Sequence, residues 1–585
     1  MKTSPKYPPS RTEKQALLAV ARGDAPGDLL IRNLSVLDLV NGDVRQLSVQ
    51  IVGQWIAGVS DGQEYEKAGA KRVIEGRGLS AVPGFIDGHV HLESSLMNPF
   101  EFEKETLVRG TTTAICDPHE ITNVLGAEGF AWFLRCAELL EQNLFVQVSS
   151  CVPALEGFET NGGVFDISQM QTYKAHPYVL GLAEMMNYPG VVNGIDSVLD
   201  KLEVFEDMNL DGHCPQLRGL ALNAYIGAGI RNCHETISIA EGREKLQKGM
   251  ALILREGSVA KNLRTLAPLV SEFNSTQCFL CTDDRNPLEI RGEGHIDGMI
   301  RRLIGELGWV PHLAYRLASF SPARHFGLKR LGLIAPGQRA DLVLLRDLQT
   351  VQIEDVLISG RLVSELELGA HLPSRLAQSK PPTGNSIRRA PLSAEALKLD
   401  LRPGIYRVIE VIPEQIVSPQ RQVHFTGGQF SEDDILPIAN IERYGQERPA
   451  ALGLVKGFGL TSGALASSVA HDSHNLMVVG TNAEDMAMAV NELIKVGGGF
   501  CACRAGETLA LVELPVAGLM SLRSADELQN QLAKLRAASQ KLGCALAEPF
   551  LQLAFLALPV IPELKLTDRG LVDVTRMQQV LLQIE

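Results

Sequence analysis

The chain has 585 residues, of which 45% are hydrophobic and 21% charged, with a formal net charge of −13. It is too long for one ordinary domain, and its composition can fill large buried cores. The acidic balance, with no basic run interleaved with aromatics, argues against a nucleic-acid surface; any purine chemistry would concern a small molecule.

In chain order, no apolar segment follows Met1–Ser10, so no secretory signal is expected, and residues 1–27 read as a leader. Short alternating patterns over Asp28–Ser60 predict strands, with a turn at Asn41-Gly42. An apolar run then stops at a polar turn, Pro83-Gly-Phe-Ile-Asp-Gly-His-Val-His-Leu92. In an extended backbone, residues two apart point the same way, so His89 and His91 can face one metal ion.

From this point short apolar runs recur at Val82–Asp87, Thr112–Cys116, Leu144–Ser149, Val179–Ala183, Leu210–Gly212, Ile230–Cys233, Met250–Leu254 and Gln277–Thr282. Amphipathic stretches separate them, among them Phe100–Val108, Leu125–Leu140, Ile195–Asp207, Leu217–Ile226 and Ile237–Gln247. Such alternation predicts a parallel sheet, and eight repeats predict a (β/α)8 TIM-type barrel, whose reactive residues sit at the carboxyl ends of its strands. Those ends carry His89 and His91, then Asp117, His119 and Glu120, then Glu184, His213, His234, and finally Asp283 and Asp284. Random placement would scatter such residues along the helices.

Beyond the eighth run, Leu331–Leu345 is again β with a central turn, residues 378–390 read as a linker, and residues 391–585 are long enough for a further α/β domain. The longest apolar stretch, Leu551–Ile561, is broken by Gln552 and Pro559 and falls short of the ~20 residues that span a bilayer, so no membrane association is expected. Ten cysteines without regular spacing suit a reducing cytoplasm. Cys278-Phe-Leu-Cys281 has zinc-knuckle spacing but no second pair, and its filling suits a buried strand.

The segment Pro83–Leu92 resembles the first barrel strand of the amidohydrolase superfamily. Gly110–Gly126, Ala183–Val191, Asp211–Pro215 with Leu220–Tyr225, Cys281–Arg285 and Ala470–Asn475 resemble, more narrowly, the adenine deaminase family, over a span from about residue 28 to the end. Thr122 departs from the pattern where a smaller residue is expected. The resemblance implies a composite β-sandwich from 28–81 and 331–377, a barrel over 82–330 and a family-specific C-terminal domain over 391–585. It implies hydrolytic conversion of adenine to hypoxanthine and ammonia in cytoplasmic purine salvage, by a homodimer. It further implies two divalent ions, Fe(II) or Mn(II) with Zn(II) also chemically suitable.

In that scheme His89 and His91 hold one ion and His213 and His234 the other. Glu184 bridges them, and Asp283 both ligates and takes a proton from the attacking water. Asp117, His119 and Glu120 are candidates for general acid and purine reader, with an Asp-Pro turn and a capping glutamate as the structural alternative. Asp284, Arg255 and Ser258, with Glu256, are candidate substrate contacts, although paired aspartates also cap helices. His471 and His474 read as a loop over the barrel mouth, a packed surface pair, or two side chains on one helix face. A related amidohydrolase acting on another aminopurine or a cyclic amide, or an inactive scaffold, are the competing readings.

Overall fold

The structure is a computed structural model and describes residues 8–584. Eight strands from both sides of the long middle segment make one sheet. Their order is Arg361–Leu362, Gln352–Ile358, Leu342–Asp347, Ser80–Pro83, Gly27–Leu37, Val44–Val52 and Trp55–Ser60, with Ala70–Glu75 paired to Gly27–Leu37. The seam is the antiparallel pairing of Ser80–Pro83 with Leu342–Asp347, which brings Val82 opposite Val343. Gly42 turns the Gly27–Leu37 strand into Val44–Val52 at φ +83°, a conformation open to glycine without a Cβ clash.

The leader expected over residues 1–27 contains structure. A capping box at Ser10 and Glu13 starts the helix Arg11–Ala21, which places Leu17 and Val20 against Trp55 and Ala57. Its first residues, 1–7, lie outside the described part. The capping signature was present in the sequence, but the helix is too short to announce itself by periodicity.

Eight parallel strands follow: Phe85–Val90, Thr111–Cys116, Asn143–Val148, Val179–Met185, Asn209–Gly212, Asn232–Cys233, Ala251–Arg255 and Cys278–Cys281. The first five form one sheet and the last three another. Backbone bonds link the two at both margins. Arg231 N–H donates to the Leu210 carbonyl at 3.4 Å, and Asp283 N–H to that of His89 at 3.0 Å. Ile86, Ile115, Phe145, Leu180, Ile253 and Phe279 pack together from these strands. Cys278 and Cys281 are buried strand residues, and every cysteine is a free thiol.

The expected helix Leu125–Leu140 is present as Ala127–Leu139, and a shorter helix precedes it. His119–Leu125 and Ala127–Leu139 meet at Gly126, where φ is +59° and a Cβ would lie 2.7 Å from the Val164 carbonyl oxygen. Beyond residue 390 lies a nine-stranded sheet, in which the hairpin Ala464–Ser467 and Leu476–Gly480 supports the loop Ser468–Asn475. The helix Ala483–Val496 follows directly. Ser521 N–H donates to the Leu96 carbonyl at 2.7 Å, and Ala525 N–H to Glu101 at 2.7 Å, which fastens this part to the loop and helix after the first parallel strand. No helix among the described residues is long and apolar enough to cross a membrane.

If the N-terminal helix belongs to the sheet, Leu17→Ala should lower the unfolding free energy by about 2 kcal/mol. A lowered urea midpoint at unchanged turnover is the expected measurement, whereas a detached leader would leave the midpoint in place.

Candidate metal centre

Each parallel strand delivers its polar residue at the same end, because the chain must leave the sheet there and the backbone turns. Asp283 sits in the left-handed region at φ +56°, held by hydrogen bonds to the backbone of His89 and His91. This turn aims its carboxylate across the strand ends.

The side chain of Glu184 occupies the centre. Its Oε1 lies 3.5 Å from His89 Nε2 and 3.2 Å from His91 Nε2, while its Oε2 lies 2.6 Å from His213 Nδ1 and 3.3 Å from His234 Nε2. Asp283 Oδ1 stands 3.6 and 3.1 Å from the same nitrogens of His89 and His91. All six side chains are buried. Five of the expected ligands thus surround Glu184, which has one oxygen on each histidine pair.

The donor chemistry fits divalent metal. His91 Nδ1 lies 2.9 Å from the Asp117 carbonyl oxygen, which can only accept, so that nitrogen carries the proton. Its Nε2 lone pair then faces two carboxylates and, at 3.1 Å, His89 Nε2. A cluster of acceptors aimed at one another in a dry site is repulsive unless cations sit among them. His213 Nε2 and His234 Nδ1 have no hydrogen-bond partner, so protein contacts alone do not satisfy these rings.

Electrostatics around the cluster is strongly biased. Burial opposes charge on Glu184, but His234 and His213 overcome it and hold the carboxyl well below its usual range. Burial likewise opposes charge on Asp283, and here the Arg255 guanidinium and the bonds to His89 and His91 keep it ionised. Asp284 moves the other way, to about 6, through burial and the neighbouring Asp283 charge.

A cavity of about 270 Å³, partly open to solvent, adjoins the cluster and is walled on one side by Met186, Phe555, Leu558 and Ile561. His119, Glu120 and Asp284 line it, as their positions in the sequence suggested. Asp117 does not. Its Oδ2 accepts from His119 Nδ1 at 2.8 Å and its Oδ1 from the His119 backbone at 3.1 Å, so it orients His119. Glu120 caps no helix, because its oxygens are taken by His471 Nδ1, at 2.5 Å, and by His474 Nε2. These two histidines lie on the loop Ser468–Asn475 and not on a helix, and this loop roofs the cavity.

Arg255 and Ser258 differ from the sequence reading, for neither lines the cavity. Arg255 is fully buried, forked onto Glu235 and bonded to Asp283 Oδ2 at 2.5 Å. All its charge is spent on those carboxylates, so it serves as the counter-ion of the cluster. Ser258 donates to Glu289 and accepts from the Asn286 backbone, and Glu256 pairs with Arg302. Sequence reasoning missed Glu235 and Asp472, both of which line the cavity. Glu235 directly follows His234, and Asp472 directly follows His471 in the segment read as a loop over the barrel mouth, so both could have been noticed.

Comparison with known proteins agrees with this geometry. Residues 80–363 match the model of the amidohydrolase family, and residues 416–578 that of the adenine deaminase C-terminal domain. An adenine deaminase of Bdellovibrio bacteriovorus is 60% identical over 570 residues, 97% of each chain. The chain belongs to the adenine deaminase family. An adenine deaminase of Escherichia coli is 55% identical over 565 residues, 96% of each chain. Among solved structures, a mutant atrazine chlorohydrolase of Arthrobacter aurescens is 15% identical with a TM-score of 0.46, over 60% of this chain and 100% of that one. As a family member the chain is a metal-dependent hydrolase acting on C–N bonds.

Removing one partner of a buried ion pair strands the other charge. Arg255→Met should therefore cost about 3–5 kcal/mol of stability, read by urea unfolding. Glu184→Gln, which keeps the shape but removes the charge shared by both histidine pairs, should reduce bound metal by elemental analysis while the protein stays folded.

Proposed function

We propose that the chain deaminates adenine to hypoxanthine and ammonia at the Glu184 cluster. The observation that carries the reading is the placement of one carboxylate between two histidine pairs beside a cavity with an apolar wall. Its lining joins the polar cluster to an apolar wall of Met186, Phe555, Leu558 and Ile561, which suits a flat heteroaromatic ring. The identity shared with adenine deaminases over nearly the whole chain supports the same substrate.

His89, His91 and Asp283 would hold one ion, His213 and His234 the second, and Glu184 both. Bound there, divalent ions lower the pKa of water towards neutrality and stabilise developing negative charge. Fe(II) or Mn(II) is our choice of metal, since nitrogen and oxygen ligands without thiolate accept either.

Adenine C6 is an amidine-like carbon. Water oxygen forms a bond to C6, and Asp283 receives the proton it loses. Ring N1 takes up a proton as the C6 adduct forms. The C6–N bond then breaks as Asp283 returns its proton to the amine, which leaves as ammonia, while the adduct hydroxyl becomes the C6 carbonyl and gives its proton to the group that protonated N1. His119 is placed for these transfers, because its Nδ1 lies 3.7 Å from Glu184 Oε1 and its Nε2 3.5 Å from Glu120 Oε1. Asp117 fixes its orientation, and Glu120, held by two histidines, is the acceptor and donor beside it. Met186, Phe555, Leu558 and Ile561 offer the flat ring an apolar wall and exclude water.

We read the eight parallel strands as one closed (β/α)8 barrel over 82–330. The flanking sheet, from 28–81 with 331–377, is a second domain that also takes in the N-terminal helix. Residues 378–390 form the linker, and 391–585 a third domain that roofs the site. A cytoplasmic homodimer serving purine salvage fits this assignment.

Ammonia release should be measured with adenine, guanine and dihydroorotate side by side, on protein supplied with Fe(II) or Mn(II). Adenine should be turned over and the others not; no turnover of adenine would overturn the assignment. Asp283→Asn should lose about 10³-fold or more in kcat with its fold intact, because the water's proton then has no acceptor.

A further inference from the structure

The roof of the cavity contains polar atoms that no hydrogen bond within the protein satisfies. Asp472 is buried and lines the cavity, yet its Oδ2 has no hydrogen-bond partner. The adjacent His471 presents an equally unpartnered Nε2, while its other nitrogen is engaged by Glu120. A buried carboxylate oxygen without a donor is costly, and native structures tolerate it where a ligand supplies the missing bond.

The position of Asp472 limits which donor that is. His119 stands between Asp472 and the ligand cluster. One ring nitrogen lies 3.7 Å from Glu184 Oε1 and the other 3.5 Å from Asp472 Oδ2. The reacting carbon and its amino group must lie at the Glu184 end, where the water is activated. Asp472 is therefore an imidazole's width away from the chemistry, within reach of the far side of a bicyclic base. Adenine offers one donor there, the N–H of its five-membered ring, and a carboxylate can only accept. Phe555 supports this end of the cavity, stacked on His471 with ring centroids 4.6 Å apart.

We propose that Asp472 is a specificity-determining residue that accepts a hydrogen bond from the imidazole-ring N–H of the purine. The inference rests on the adenine deaminase reading given above. It makes the third domain part of the substrate site and accounts for a preference for the free base. In a nucleoside that nitrogen is substituted, the donor is gone, and Asp472 stays unsatisfied in a dry site.

The test uses the full-length, metal-loaded protein and two substrates. One is adenine; the other is its oxazole isostere, in which oxygen replaces the ring N–H. Wild type should show a KM for the isostere about 10- to 100-fold above that for adenine, the usual range for a lost hydrogen bond to a charged group. Asp472→Ala should raise the KM for adenine by a similar factor, leave kcat within about 3-fold, and bring the two substrates to equal KM. Asp472→Asn, which keeps an acceptor oxygen, should recover part of the loss. Metal content should match wild type in both variants.

Asp472→Ala protein that still prefers adenine over the isostere would overturn the proposal, as would an unchanged KM for adenine. Loss of metal from both variants would also overturn it, by making Asp472 a ligand. Wild-type protein inactive on adenine would instead defeat the activity assignment, a distinct result.

Discussion

The Glu184 carboxylate, fixed between two pairs of imidazoles, is the contact on which the rest of the structure depends. Its two oxygens lie 2.6–3.5 Å from nitrogens that come from the first, fifth and sixth parallel strands. Those strands can reach one carboxylate only if their registers agree, so the packing beneath them has little freedom. Carboxylates and imidazoles brought this close need protons or cations between them, and in water they would separate. Burial prevents that, and the repulsion becomes affinity for cations.

Around this centre every neighbouring group serves to keep a charge where it is. Arg255 balances Asp283 and Glu235, and Asp117 holds the ring of His119. Glu120 is gripped from above by His471 and His474. His474 Nδ1 accepts the Ala470 N–H at 3.1 Å, so its proton is on Nε2 and points at Glu120. The site is thus a shell of ionic pairs beside an apolar wall of Phe555, Leu558 and Ile561.

Much of this was legible in the sequence, for a physical reason. Each of these strand ends follows an apolar run, so His89, His91, Glu184, His213, His234 and Asp283 stand out as the polar residues that close such runs. Arg255 stood at a strand end too, but its role depends on which carboxylates 20 and 28 residues away turn toward it, and no local pattern encodes that. Asp472 was harder still. It lies on a loop between two strands of another sheet, where neither helical nor alternating periodicity marks the side chain that faces inward. The helix Arg11–Ala21 had its capping box in view, yet its reason for folding is Trp55, which lies beyond it in the chain.

Glu120 and His471 are 351 residues apart. On the ribosome, the residues from His89 to Asp283 all emerge well before the loop that covers them, leaving the ligand cup exposed to ions during synthesis. The loop Ser468–Asn475 can cover that cup only after most of the chain has been made.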